Sequence, residues 1–323
     1  RIMVRMARHA RDLTGLPDLC MAGGVALNCV ANGVILREKI FDRIWIQPAA
    51  GDAGGALGAA LAVWHMRGAD PRPRTVVLPD AMQGAFLGPE YSDDEIEAVL
   101  REHGAVYQKL DTDDLLGEVA RLLAEGAVVG WVQGRMEFGP RALGHRSILG
   151  DPRSPALQSV LNLKVKFRES FRPFAPVVLR ERVAEFFELD IDSPYMLLVA
   201  PVHPAQRLPA PPPAHGLERL KQPRSRLPAV THVDDSARIQ TVTTEQNPEL
   251  CALLKRFEAR TGCPVLVNTS FNVRGEPVVC SPDDAYRCFI NTAMDHLAIG
   301  RFLLSRAVQP HVAVAPSFHP VPD

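Results

Sequence analysis

The feature that most constrains this chain is a repeated alternation of short apolar runs with helix-patterned segments, broken by Gly and Pro turns. Residues 1–66 read as helix, strand, helix, strand, helix: a first helix ending near Gly15, a strand Asp18–Ala22, a helix from Ala26 to Lys39, a strand Arg43–Gln47 and an Ala/Gly-rich helix Gly54–His65. Residues 67–83 read as a linker, through Gly68, Pro71 and Pro73. A second unit begins near Phe86 with helix 92–103, strand 105–110, helix 112–125 and strand 127–132. It continues, beyond a motif-rich stretch at 133–177, with a helix near 181–187 and a strand 195–202. The Pro/Arg-rich segment 203–229 predicts a long surface loop or lid. Strand 238–243, helix 247–260, strand 264–268, helix 281–293 and strand 296–304 close the pattern. Alternation of this kind predicts an α/β fold.

Composition excludes several classes. The 323 residues suffice for one large domain or two, and 46% apolar residues suit a packed core. A formal net charge of −1 gives no overall basic field for nucleic acid or a membrane surface. No apolar run reaches the ~20 residues of a membrane-spanning helix. The six cysteines form no CxxC pair and have no His at zinc-finger spacing, so reduced, buried thiols and a cytoplasmic location are expected. The opening Arg1-Ile2-Met3-Val4 reads like the middle of a helix, which leads us to expect a fragment lacking an N-terminal portion.

Two turns carry possible ligand chemistry near the N-terminus. Gly23-Gly24, followed by Val25-Ala26-Leu27-Asn28, lies between a strand and a helix, where glycine lets a ligand approach the backbone and the helix start offers free N–H groups. A plain turn would look the same. Pro48-Ala49-Ala50-Gly51-Asp52 is a second strand-to-helix turn, and Asp52 reads either as a helix cap or as a metal or nucleotide ligand.

The densest signal lies further on. Residues 133–182 hold ten Lys/Arg against four acids, an excess of six in a near-neutral protein. Arg135, Arg141 and Arg146 are spaced among Gly134, Gly139 and Gly144, so planar guanidinium forks with little steric cover could grip phosphate or carboxylate oxygens. Lys164, Lys166 and Arg168 alternate with apolar residues, which on a strand would put the three cations on one face; Arg172 follows. The apolar run Val265-Leu266-Val267 then leads into Asn268, Ser270 and Asn272, amide and hydroxyl groups able to hold phosphate or ribose. A solvated charged face and an Asn/Gly turn are the bland alternatives for these two stretches. Together they predict a compact polyanion as ligand.

The strings GRMEFGPRALGHRSILGDPR, LKVKFRESFRPFAPVV, THVDDSARIQTV and NTSFNVRGEPVV resemble the C-terminal domain of NodU/CmcH-type O-carbamoyltransferases, and Lys166-x-Arg168 with Ser270-x-Asn272 looks like the K-x-R…S-x-N signature of YrdC-like domains. The two glycine turns resemble the closing motifs of an actin-like ATPase (Kae1-like) domain. The resemblance implies the C-terminal remnant of that domain at 1–70, a linker at 71–84, a YrdC-like α/β domain at 85–312 and a tail at 313–323. It implies formation of carbamoyl adenylate from carbamoyl phosphate and ATP with Mg²⁺, then transfer to a hydroxyl of a sugar or natural product. Arg135, Arg141 and Arg146 would hold carbamoyl phosphate, with Lys166, Arg168 and Arg172 on the ATP phosphates. His232 and Arg238 would join them, and Asn268, Ser270 and Asn272 would position the nucleotide. Gly23, Gly24 and Asn28 would touch a nucleotide in the first domain, and Asp52 would ligate a metal, Fe²⁺ being one candidate, with upstream ligands including a His pair. One departure is Asp234-Asp235, where Asp-Gly is expected. A homodimer, a tRNA- or protein-modifying relative and a nucleotide- or RNA-binding module without turnover are the other expectations carried forward.

Overall fold

The computed structural model describes residues 1–66, 80–209, 220 and 222–310. Of the expected linker, residues 67–79 lie outside the described residues, as do the expected tail 313–323 and residues 210–219 and 221 of the expected lid.

The N-terminal segment forms α1 (Ile2–Thr14), β1 (Asp18–Met21), α2 (Cys29–Arg37), β2 (Arg43–Ile46) and α3 (Ala53–Met66), with β1 and β2 paired in parallel. Gly15 stops α1 because it takes a left-handed φ of 66° and returns its N–H to the Arg11 carbonyl at 2.8 Å. The expected helix 26–39 is two pieces: a 3₁₀ turn Gly24–Leu27, then α2 restarting on Asn28, whose side chain accepts the Ala31 N–H at 3.0 Å.

The remaining elements are α4 (Asp93–Glu102), β3 (Gln108–Lys109), α5 (Thr112–Ala124), β4 (Val129–Val132), β5 (Arg146–Gly150), α6 (Leu157–Val160), β6 (Ala175–Leu179), α7 (Val183–Phe186), β7 (Leu198–Pro201), β8 (Ser236–Val242), α8 (Pro248–Thr261), β9 (Val265–Ser270), α9 (Pro282–Ile290), β10 (His296–Ile299) and β11 (Phe302–Ser305). Nine of these strands make one mixed sheet in the order β3-β11-β10-β4-β5-β9-β6-β8-β7. The amphipathic helices α5 and α8 pack against each other and onto β4, β6 and β9, while α9 packs on β10, β4 and α4. Every residue of β4, β5 and β6 is buried, as a sheet covered on both faces requires. The α/β class expected from the alternation is the class observed.

Several boundaries differ. The expected strand 296–304 is a hairpin, because Gly300 turns the chain at φ 52° and β10 pairs antiparallel with β11. The strand 105–110 shrinks to Gln108–Lys109 at the sheet edge. Strands β5 and β6 emerge from the motif-rich stretch, where a strand was weighed only for residues 164–168.

The N-terminal segment docks on the edge strand β7. Asn32 Nδ2 donates to the Leu197 carbonyl at 3.1 Å, Arg37 Nη1 donates to the Val199 carbonyl at 2.9 Å, and Gly33 lies directly against that same carbonyl. This edge is therefore covered rather than left as an open row of hydrogen-bonding groups.

Candidate anion site

Sheet topology creates the site. Because β9 runs antiparallel to both β5 and β6, its C-terminal end lies beside their starts: Ser270 is in register with Ser147 and Asn268 with Ala175. Strand β8 runs parallel to β6, so its start, with Arg238, comes to the same end. Here a cleft of about 220 Å³ is lined by Pro140–Ala142, Arg168, Pro173–Ala175, Met196, Arg238 and Asn268–Ser270. Three guanidinium groups separated by up to 97 residues thus face one small space.

Their electrostatics are those of a site short of negative charge. Burial and then Arg141 push the Arg238 pKa down to about 10, with Arg168 adding to it. Burial lowers that of Arg141, and burial with Arg172 lowers that of Arg168. Arg141 Nε is buried and has no hydrogen-bond partner. Clustered, partly desolvated cations repel one another, and an anion between them would relieve both penalties. Asn268 is fully buried and donates Nδ2 to Gln240 Oε1 at 2.7 Å, while its Oδ1 has no partner. Gln240 donates in turn to the Leu143 carbonyl at 2.8 Å and so ties β8 to the arginine loop.

That loop is held by one carboxylate. Glu137 Oε1 accepts the N–H groups of Leu143 at 2.7 Å, His145 at 2.8 Å and Arg146 at 3.3 Å. Glu137→Ala would leave three inward amides without an acceptor. We expect it to cost about 2–3 kcal/mol in chemical denaturation and to weaken phosphate binding through Arg141.

Lys166 does not share a face with Lys164 and Arg168 as expected of a strand. Residues Leu161–Val165 form a π-helical turn closed by the Lys166 N–H on the Leu161 carbonyl at 2.8 Å, and Phe167 then takes a left-handed φ of 49°. The result exposes Lys164, turns Arg168 into the cleft and buries Lys166. Asn162 Oδ1 holds Arg168 by accepting Nε at 2.7 Å, and the guanidinium lies over the Phe174 ring. Lys166 Nζ donates to both the carbonyl and the hydroxyl of Ser270, and to Asn272 O at 3.0 Å and Oδ1 at 2.8 Å. It therefore anchors the end of β9 from below rather than lining the cleft.

Burial, reinforced by Arg168, pushes the Lys166 pKa down to about 7. The unfolded chain, with an ordinary Lys near 10.4, binds the extra proton across the window between these values. Stability from this group therefore rises with pH from about 7 to 10, by at most ~1.4 kcal/mol per pH unit. Lys166→Met should lack that slope, which denaturation curves taken across the window would reveal.

Other expected site residues lie elsewhere. The Arg146 side chain is 1% exposed, and its guanidinium is spent on the carbonyls of Gln133, Gly134, His145, Pro89 and Cys280 at 3.0–3.3 Å. This corrects its expected place in the anion arm: it is a cross-brace of the loop. Arg135 is exposed and contacts the Leu87 carbonyl at 3.4 Å, away from the cleft. Arg172 is exposed, pairs with Glu169 at 3.0 Å and adds its field to Arg168. His232 has its pKa lowered by burial, faces Ser236 Oγ at 3.3 Å and lines a neighbouring small pocket. Asp235 takes φ 59°, so the Asp-Asp turn adopts the left-handed backbone for which Asp-Gly was expected.

In the N-terminal segment, Gly23 takes φ 96° and donates its N–H to the Ala50 carbonyl at 2.8 Å, so the two glycine turns meet. Open space surrounds Gly24. Asn28 is occupied in capping α2. Asp52 is exposed at the start of α3, and among the described residues no three His, Cys, Asp or Glu side chains converge on a point that could hold a metal ion. Asp52 alone therefore does not make a metal centre. Sequence reasoning missed the supporting roles of Glu137, Asn162 and Gln240: Glu137 and Gln240 lie inside the quoted strings, but nothing local shows that they hold the arginine loop and Asn268, or that Asn162 holds Arg168.

Two family models match the chain: Carbamoyltransferase C-terminus over residues 120–306 and Carbamoyltransferase N-terminus over residues 1–61. Among curated proteins, the chain is 59% identical over 96% of its length to the uncharacterized protein sll1178 of Synechocystis, covering 51% of that protein. It is 44% identical over 99% of its length to nodulation protein NolO of Bradyrhizobium diazoefficiens, covering 56% of it, and 34% identical over 84% to nodulation protein U of Rhizobium fredii, covering 40%. The chain thus spans about half the length of the curated relatives it matches. A solved structure of full-length HypF in a phosphate- and nucleotide-bound form matches 62% of this chain and 22% of its own at 18% identity and TM-score 0.38, too weak a likeness to carry an argument.

Proposed function

The chain belongs to the carbamoyltransferase family, and on that premise we propose that its cleft forms carbamoyl adenylate from carbamoyl phosphate and ATP, for transfer to a hydroxyl of a sugar or natural-product acceptor. The observation that carries the reading is the convergence of Arg141, Arg168 and Arg238 with Asn268 and Ser270 in one partly buried space. Two polyanionic substrates repel each other, and fixed, desolvated cations offset that repulsion where solvent cannot screen it.

The proposed chemistry balances as follows. Carbamoyl phosphate gives up its phosphate to water, leaving carbamate. A carbamate oxygen bonds to the α-phosphorus of ATP as the bond to the pyrophosphate oxygen breaks. The acceptor oxygen then bonds to the carbamoyl carbon, AMP leaves and the hydroxyl proton is released. Arg141 and Arg238 would hold the phosphoryl oxygens, Arg168 would pair with the nucleotide phosphates, and Asn268 and Ser270 would orient the reacting groups. Lys166, with Asn272, is a positioning residue in this scheme, and no side chain of the cleft is a covalent nucleophile, so positioning and charge supply the rate. Magnesium would enter on the ATP phosphates, since the cleft lining contains no carboxylate.

We also propose the domain division at 70–85, a cytoplasmic location and nucleotide contact at Gly23 and Gly24. A metal at Asp52 would require ligands from outside the described residues. No helix among the described residues is long and apolar enough to cross a membrane. The deciding measurement is exchange of labelled pyrophosphate into ATP. The proposal expects exchange that appears only when carbamoyl phosphate is present. Exchange indifferent to carbamoyl phosphate, or none at all alongside measurable ATP binding, would count against it.

A further inference from the structure

The three arginines of the anion cleft are not equivalent. Among the described residues, the side chains of Arg141 and Arg238 make no hydrogen bond or ion pair, whereas that of Arg168 is held from two directions. Asn162, which is fully buried, accepts the Arg168 backbone N–H on its carbonyl at 2.9 Å and the Arg168 Nε on its Oδ1 at 2.7 Å. The buried ring of Phe174 lies under one face of the guanidinium, 5.0 Å from Cζ to centroid. With Nε and one face engaged, the Nη1/Nη2 end is what Arg168 has left for a ligand, and its two donors have no partner among the described residues.

The chemistry of this grip differs from that of the arginines elsewhere in the fold. Arg153, Arg180 and Arg301 are held by the carboxylates of Asp151, Asp192 and Asp93, which neutralise them. An amide oxygen and an aromatic face fix a guanidinium without cancelling its charge. Glu169, the acid close enough to act on Arg168, is paired with Arg172 instead. Asn162 is itself locked. Its Nδ2 donates to the carbonyls of Ser170 at 3.1 Å and Arg172 at 2.8 Å, so turning the amide over would lose both bonds and set a donor against Nε. The left-handed Phe167, at φ 49°, is what turns the chain so that Arg168 comes back beside Asn162.

From this contrast we infer that Arg168 is a preset two-pronged fork, and that Asn162 and Phe174 are positioning residues that fix where an oxyanion docks in the cleft. Arg141 and Arg238, which nothing holds, close on the anion once it is seated. The inference rests on the anion-binding reading of the cleft given above. A fork held in place gives up little rotamer freedom on binding, and its parallel donors match ligands that present two oxygens side by side, such as a phosphoryl group, over monatomic anions.

Calorimetric titration of the intact protein with inorganic phosphate, arranged as a double-mutant cycle, tests this. Asn162→Ser and Phe174→Leu should each weaken phosphate binding about tenfold, since an oriented charge-assisted bond is lost. Arg168→Lys, which keeps the charge and removes the fork, should weaken it by a similar factor. Adding Asn162→Ser or Phe174→Leu to Arg168→Lys should then change the affinity by less than about twofold, because no fork remains to be oriented. A merely structural role would lower the affinity by the same factor in both backgrounds, and that result overturns the inference, as does unchanged affinity in the two single variants. The variants act on different sides of the guanidinium, so either one decides the matter should the other fold poorly. Phosphate binding indifferent to Arg168→Lys overturns the fork and leaves the cleft to Arg141 and Arg238. Absence of saturable phosphate binding in the parent overturns both the fork and the anion reading.

Discussion

Arg141→Ala is expected to lower carbamoyl-phosphate-dependent ATP–pyrophosphate exchange by a factor on the order of 10²–10³ without unfolding the protein. Arg141 is the one arginine of the cleft whose Nε is buried with no partner, so its guanidinium has no structural duty to replace. Removing it also removes a repulsive neighbour of Arg238, whose pKa it depresses. The sign of the stability change is therefore informative. Without an anion, the variant should be as stable as the parent or slightly more so. With saturating phosphate, the parent should gain more thermal stability than the variant, because only the parent has the full set of cations to stabilise. Arg141→Lys should recover part of the exchange, since the charge returns but the two-pronged geometry does not. Near-normal exchange in Arg141→Ala would remove this residue from the proposed chemistry.

Gly33→Ala should be the most damaging single methyl addition for the docking of the N-terminal segment. A Cβ at Gly33 would lie 2.0 Å from the Val199 carbonyl oxygen, and that oxygen also accepts from Arg37. The two nearest atoms, Val199 O and C, are backbone and cannot swing aside, so α2 must lift from β7. The lift would strain the Asn32–Leu197 bond and open the sheet edge. We expect a loss of about 3 kcal/mol in chemical denaturation. Faster hydrogen exchange should be confined to α2, α3 and β7. Leu197 adjoins Met196, which lines the cleft, so the lift should also disturb the cleft wall and weaken phosphate binding although no cleft residue has changed. Uniform destabilisation with unchanged phosphate affinity would show that docking and the cleft are independent. Gly144→Ala, with φ 110° and a notional Cβ 2.4 Å from Leu250 Cδ2, meets a side chain that can move, and offers a milder comparison within the arginine loop.

Much of the candidate site was legible because guanidinium, amide and hydroxyl groups announce anion chemistry wherever they cluster. Arg141, Arg168, Asn268 and Ser270 could be picked out from their strings alone, and all four line the same cleft. Arg146 came from an equally suggestive string, yet its side chain is enclosed by carbonyl oxygens. Arginine's five donors serve a phosphate or a ring of carbonyls equally well, and the sequence carries no sign of which partner is near. Lys166 shows the same limit at the level of local structure. An alternating pattern fits a strand, but the chain follows a π turn because Asn162 donates to the carbonyls of Ser170 and Arg172, at 3.1 and 2.8 Å, and so folds the segment back on itself.

The sequence by itself determined the α/β class and the family, since periodicity, turn residues and local motifs are properties of neighbouring positions. The tertiary structure decided which cations meet. Arg141, Arg168 and Arg238 become neighbours because β9 runs antiparallel to β5 and β6 while β8 runs parallel to β6, which brings the three chain segments to one end of the sheet. It also decided that Glu90 and Glu249, far apart in the chain, line one second pocket. Strand direction and the partnering of charges are set by contacts between residues far apart in the chain, and no local pattern encodes them.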